Sequence, residues 1–213
     1  MDSPDLNQAC SYNNREYYCT IPFAESPRIQ SHLYTYRCTN CEGNTYNLLE
    51  TERLIRFGQE VSGKDRKEAV MILNHKEAIQ YVVEHPGAIT INRQDLFNIH
   101  ALLANGLLAD LAMAGRLRHM PVGITHSSFR PPGDQFVIEE EFGILIEKTA
   151  AINDPFEQSF FLLVHIPYLQ AFDDINKRTS RIAANIPLLK ADLAPMSYLA
   201  MDDNDGVWNL GRR

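Results

Sequence analysis

The sequence predicts an all-α domain interrupted by one small β-hairpin. Apolar residues recur at helical spacing in segment after segment, and one stretch rich in proline and glycine, residues 118–133, breaks the habit. With 45% hydrophobic and 22% charged residues, the 213-residue chain has the balance of a protein that buries a core. Its 20 Lys+Arg against 27 Asp+Glu leave a formal net charge of −7, which argues against general nucleic-acid binding. No apolar run approaches the roughly 20 residues of a membrane helix, and the polar N-terminus lacks a signal-peptide core. A soluble, cytoplasmic protein is expected.

Residues 1–27 read as a polar arm without periodicity, 28–200 as the folded domain and 201–213 as an irregular tail. The tail's sequence, MDDNDGVWNLGRR, suggests that a further segment follows. Within the domain, 28–40 is the first expected helix, ended near Gly43. Residues 46–58 put Leu48, Leu49, Leu54, Ile55 and Phe57 on one stripe, closed by Gly58. In 66–84, Ala69, Ile72, Leu73, Ala78, Ile79 and Val82 share a face, and His85-Pro86-Gly87 stops the helix. Residues 93–114 predict the longest helix, carrying Leu96, Ile99, Leu103, Leu107 and Leu111. A small β-hairpin or extended flap follows, around Val122, Gly123, Ile124 and Thr125, and helical spacing returns over 136–151, 156–169 and 177–190.

The four cysteines are Cys10, Cys19, Cys38 and Cys41. Cys38 and Cys41 form a C-x-x-C, but a zinc site with strong spacing needs a second close pair, and Cys10 and Cys19 stand too far apart. Free thiols in a reducing compartment are expected. A more pointed cluster is Asn176-Lys177-Arg178-Thr179-Ser180-Arg181, opening a helix just after Asp173-Asp174. Helix N-termini present free N–H groups to anions, Arg178 and Arg181 share a face, and Asp174 could hold a Mg²⁺ bridging the same phosphates. A capping acid followed by a solvated basic turn explains the same residues.

The segment from Gln170 through Phe172, Asp174, Asn176 and Arg178 to Arg181 resembles the Fic (Fido) family signature H-x-F-x-[D/E]-x-N-x-R-x-x-R. Upstream, Cys38-Thr39-Asn40-Cys41-Glu42-Gly43 resembles the family's inhibitory motif [S/T]-x-x-x-E-[G/N]. The resemblance implies a Fic-type helical bundle whose members usually transfer AMP from ATP to a hydroxyl of a target protein. It implies that Asp174 coordinates Mg²⁺, and that Asn176 and the amides around Ile175 and Lys177 hold phosphate. Arg178 and Arg181 would take further phosphate charge, and Phe172 would pin the loop. It also implies that the segment around Val122–Pro132 forms a flap, with Val122–Thr125 as its target-facing residues, that holds a target segment by strand addition, and that Glu42 pairs with Arg181 to obstruct ATP.

Three departures matter. Gln170 stands where the signature has histidine, and a glutamine amide cannot act as a general base, a loss worth on the order of 10²–10⁴ in rate. Lys177 stands where AMP-transferring members most often have glycine, a form shared with Doc-type phosphotransferases. Cys38 replaces the usual Ser or Thr, and its thiol is a weaker hydrogen-bonding group. His165 and His100 read as structural histidines instead of substitute bases. The expectation is therefore a chain that binds ATP–Mg²⁺, with weak or absent AMP transfer to a Ser, Thr or Tyr hydroxyl. The alternatives are an active adenylyltransferase, a phosphotransferase or a non-catalytic interaction module. The target and the oligomeric state, a homodimer included, are left open.

Overall fold

Local capping chemistry sets where half of the described α-helices begin. The computed structural model describes residues 27–84, 87–124, 127–196 and 198. Among them the α-helices are α1 (Pro27–Asn40), α2 (Leu48–Phe57), α3 (Arg66–Glu84), α4 (Arg93–Ala104), α5 (Gln135–Ala151), α6 (Pro155–Leu169), α7 (Asn176–Ala183) and α8 (Asn185–Lys190), with one 3₁₀ turn at Leu111–Met113. α2 starts on a capping box in which Asn47 and Glu50 each take the other's backbone N–H. Asn92, Asp134 and Asp154 accept first-turn amides of α4, α5 and α6, and Pro155 sits at the first position of α6. α7 is different: its cap is Ile175, at φ 66°, with no side-chain cap bond.

Two apolar cores hold the bundle, and the short α7 region joins them. Leu96, Ile138, Phe142, Leu162, Ile166 and Phe172 pack together between α4, α5 and α6. Val82, Ile89, Ile99, Leu103, Ile182 and Ile186 form a second cluster with Ile175. Phe172 and Ile175 thus anchor one loop in both cores. A smaller cluster of Tyr46, Leu54, Ala69 and Ile72 seats α2 on α3.

The expected helices over 28–40, 46–58, 66–84, 136–151 and 156–169 match observed elements to within a few residues. Three expectations are corrected. The helix expected over 93–114 ends at Ala104, so α3 is the longer one. Asn74 donates to the carbonyls of Leu103 and Asn105, and the chain turns back so that Gly115 lies against α4. A Cβ at Gly115, whose φ is +70°, would stand 3.1 Å from the Phe97 carbonyl oxygen. The helix expected over 177–190 is broken at Ala184 into α7 and α8, with Pro187 in the first turn of α8.

The third correction is the β-hairpin at Val122, Gly123 and Ile124. No strand is present among the described residues, and 119–124 and 127–134 run as loop; Thr125 lies outside the described residues. Pro121, Pro131 and Pro132 offer no N–H, and a lone two-stranded ribbon is marginal without a third partner. The residues expected as an arm and a tail fall almost entirely outside the described residues. No described helix is long and apolar enough to cross a membrane.

Candidate active site

The loop between α6 and α7 is built around the side chain of Asn176. Its Oδ1 accepts from the Phe172 N–H at 3.0 Å, and its Nδ2 donates to the Phe172 carbonyl at 2.9 Å and to Gln170 Oε1 at 3.0 Å. Phe172 is fully buried and stacks on the His100 ring at 4.1 Å. His100 Nδ1 accepts from the Gly115 N–H, which places its proton on Nε2, facing the Asp174 carbonyl at 3.2 Å. Burial pushes the His100 pKa down to about 4, so the ring is a neutral strut beneath the loop.

Above that base the first amides of α7 are open. Thr179 N–H reaches the Ile175 carbonyl, whereas the N–H groups of Asn176, Lys177 and Arg178 precede any intrahelical acceptor and have no side-chain cap. Asp174 is exposed; one carboxylate oxygen takes the Ile175 N–H at 2.6 Å, and the other makes no hydrogen bond among the described residues. Lys177 is also exposed. Arg178 is 8% exposed, and its Nη1 is buried without a hydrogen-bond partner. Burial lowers its pKa, opposed by the Asp174 and Glu42 carboxylates. A buried guanidinium nitrogen left unpaired is costly, and an anion at the head of α7 would satisfy it.

One turn on, Arg181 Nη1 pairs with Glu42, which sits in the turn after α1 instead of within the helix. The same nitrogen donates to the Cys38 carbonyl at 3.4 Å, and the Tyr198 ring lies 5.6 Å from the guanidinium carbon. Cys38 therefore supports Arg181 through its backbone, which lessens the importance of the expected Ser or Thr. Its thiol is fully buried, with its pKa pushed up to about 12, and both Cys38 and Cys41 are free. Cys10 and Cys19 lie outside the described residues. No cluster of three or more His, Cys, Asp or Glu could hold a metal among the described residues; a Mg²⁺ shared with phosphates needs fewer carboxylates.

Residues 90–188 match the family model described as the Fic/DOC family. They form a Fic/DOC domain. The protein adenylyltransferase fic-1 of Caenorhabditis elegans is 25% identical over 173 residues, covering 77% of this chain and 33% of that protein. The protein adenylyltransferase Fic of Nematostella vectensis is 27% identical over 193 residues, covering 87% of this chain and 44% of its own length. This chain thus spans less than half the length of those relatives. The solved Fic-1 structure from C. elegans has a TM-score of 0.66 at 22% identity, over 83% of this chain and 53% of that one. A Fic-domain-containing signaling protein from Bacteroides thetaiotaomicron has a TM-score of 0.69 at 15% identity, over 81% and 67% of the two chains. The fold is shared with both.

Asp174, Arg178 and Arg181 of the Fic/DOC domain converge with Glu42, which precedes residues 90–188, while two expected roles change. The Asn176 side chain is occupied in holding the loop together, so phosphate contacts would fall to the backbone amides. Gln170 caps α6 in left-handed backbone at φ 50°, with Oε1 bonded to Asn176 and Nε2 to the Pro167 carbonyl at 2.7 Å. His165 is exposed and stacks on Phe161. Arg118 escaped sequence reasoning. Fully buried, it donates through Nε to the Gln170 carbonyl, through Nη1 to Met120 and through Nη2 to Pro132, while its own N–H reaches Ala171. Arg116-Leu117-Arg118-His119 looks like a solvated basic run, although the single apolar Leu117 between the arginines hints that the segment turns inward.

Proposed function

We propose that this Fic/DOC domain binds ATP with Mg²⁺ at the head of α7, with AMP transfer to protein hydroxyls weak or absent. The observation that carries the reading is Arg178 Nη1, buried and unpaired beside three open amides. Arg178 and the amides of Asn176–Arg178 would hold phosphate oxygens, and the free oxygen of Asp174 would take Mg²⁺. Bound ATP would supply the AMP group. Gln170 supports low activity on two grounds: an amide accepts no proton near neutral pH, and both its ends are already engaged within the loop. The Glu42–Arg181 pair supports a held-back resting state, since its carboxylate takes the guanidinium charge that phosphate would otherwise meet. The flap residues Val122–Ile124, lacking a pairing strand, would accept one from a target.

Calorimetric titration with MgATP tests the binding step. Wild-type chain should bind, and Arg178→Met should lose at least tenfold in affinity; equal affinities would remove the nucleotide reading. Transfer is tested separately with α-labelled ATP in lysate, using Glu42→Gly beside Glu42→Gly/Gln170→His. Label appearing only with histidine supports an intact site without its base, and label with Gln170 present makes the chain an active transferase. Transfer from γ-labelled ATP alone would indicate the phosphotransferase alternative.

A further inference from the structure

We propose that the cavity between the flap, α5 and α6 anchors a large apolar side chain of an acidic protein segment. The cavity measures about 430 Å³, within the range of sites that enclose a ligand group. Leu145 and Leu169, nearly buried, line it, and Phe129, Phe161 and Tyr168 add aromatic walls. Phe129 of the flap stacks on Tyr168 of α6 at 4.2 Å, and Arg118 ties the Pro132 carbonyl to the α6–α7 loop. The cavity is therefore built from fixed parts, and Leu169 is the residue immediately before Gln170.

Two observations select the occupant. Its basic lining is Arg130, Lys148 and His165 against one carboxylate, Glu141, with Tyr168 the remaining titratable side chain. Arg130 and Lys148 are exposed and belong to none of the ion pairs among the described residues. In a chain of net charge −7, two unpaired permanent cations around an apolar cavity favour acidic groups beside the apolar anchor. The apolar surface also continues outside the cavity. Phe160, Val164 and Tyr168, each more than half exposed, follow one another at four-residue spacing along α6. That stripe is about 12 Å long at 1.5 Å per residue, the reach of several extended residues and more than a small metabolite covers. A peptide segment fits both the length and the charge.

This assignment rests on the reading of the chain as acting on proteins, and the experiment separates the two. Amide chemical shifts of the full chain are followed during titration with three blocked peptides: N-acetyl-Glu-Phe-Glu-Ser-amide, N-acetyl-Lys-Phe-Lys-Ser-amide and N-acetyl-Glu-Ala-Glu-Ser-amide. The first should shift Ile144, Lys148 and Leu169 and bind at least fivefold tighter than the other two. Arg130→Glu/Lys148→Glu, both surface changes, should turn the preference toward the lysine peptide. Equal binding of glutamate and lysine peptides, or of phenylalanine and alanine peptides, would overturn the proposal. So would a homodimer in sedimentation that Val164→Lys separates, because a second copy would then occupy this face. MgATP added to the same samples reports on Lys177 and Arg178. A failed peptide titration with a normal ATP response sinks the anchor alone, and the reverse sinks the nucleotide reading alone.

Discussion

The α6–α7 loop and the flap approach the same site, yet they are held in opposite ways. In the loop nearly every polar group is assigned: Asn176 bonds both sides of Phe172 and Gln170, and His100 carries the Asp174 carbonyl. What is left unpaired, Arg178 Nη1 and the amides heading α7, faces the place where phosphate would sit. In the flap the assignment is reversed. Its two ends are tied by one guanidinium, Arg118, while the described backbone between them has no pairing strand among the described residues. On the proposed function, the loop would be preorganised for a ligand of fixed geometry, and the flap would be open to a partner that supplies its own backbone. Preorganisation lowers the cost of binding charge, whereas an open edge suits varied sequences.

The largest effect should come from breaking the loop at its organiser. Asn176→Ala strips the partners from the buried Phe172 N–H and carbonyl, and should cost about 3 kcal/mol. Urea unfolding measures that loss, and MgATP binding should fall with it although the Asn176 side chain makes no phosphate contact in this arrangement. Retained stability with lost ATP binding would instead make Asn176 a direct ligand.

Acid should attack the loop side and spare the flap. Burial holds the His100 pKa down at about 4 and that of His75, buried in α3, at about 3, against an ordinary 6.5. Between pH 6.5 and those values the unfolded chain takes up protons that the folded chain refuses. Stability is therefore complete above pH 6.5 and declines as pH falls. From pH 7 to pH 5 the loss is of order 2 kcal/mol for each histidine. His100→Gln should flatten the slope by about half. Hydrogen exchange at pH 5 should rise first around Asp174 and Gly115; an earlier rise in the flap would break the contrast.

A smaller change in global stability, of about 1 kcal/mol, is expected from Arg118→Met. Three carbonyls lose their donor, but a buried charge is also removed, and the two effects partly cancel. The local effect should be larger: proteolysis between Met120 and Pro132 should accelerate at least tenfold while MgATP affinity stays within twofold. Equal loosening of flap and loop would mean that Arg118 supports the whole site.

How much of this was legible in the sequence divides along the same line. The loop's register was readable because Phe172, Asp174, Asn176, Arg178 and Arg181 occupy fixed offsets, and because Asn47, Asp134 and Asp154 mark their helix starts by local chemistry. The flap was misread because a hairpin pattern says where turns fall and nothing about whether a partner edge exists. The helix expected through 105–114 failed for a related reason. Asn74, some thirty residues away, takes the carbonyls that would have continued it. The loop-holding bonds of Asn176 and the whole role of Arg118 leave little mark in the sequence, since both depend on burial set by distant elements.

The smallest expected effect concerns the link from α1 to the site, and it decides whether the proposed latch is more than a salt bridge. Glu42→Gly leaves Arg181 with the Cys38 carbonyl and the Tyr198 ring, so stability should change by less than about 1 kcal/mol. If Glu42 competes with phosphate for Arg181, the same change should tighten MgATP binding roughly tenfold, and Glu42→Gln should fall between. Linkage makes the coupling reciprocal: MgATP must weaken the Glu42–Arg181 contact by the factor that the contact weakens ATP. Wild-type chain should then show MgATP-dependent amide shifts at Gly43 as well as at Lys177 and Arg178. Shifts confined to α7, with the affinity of Glu42→Gly unchanged, would leave the pair a brace between α1 and α7 with no part in nucleotide binding.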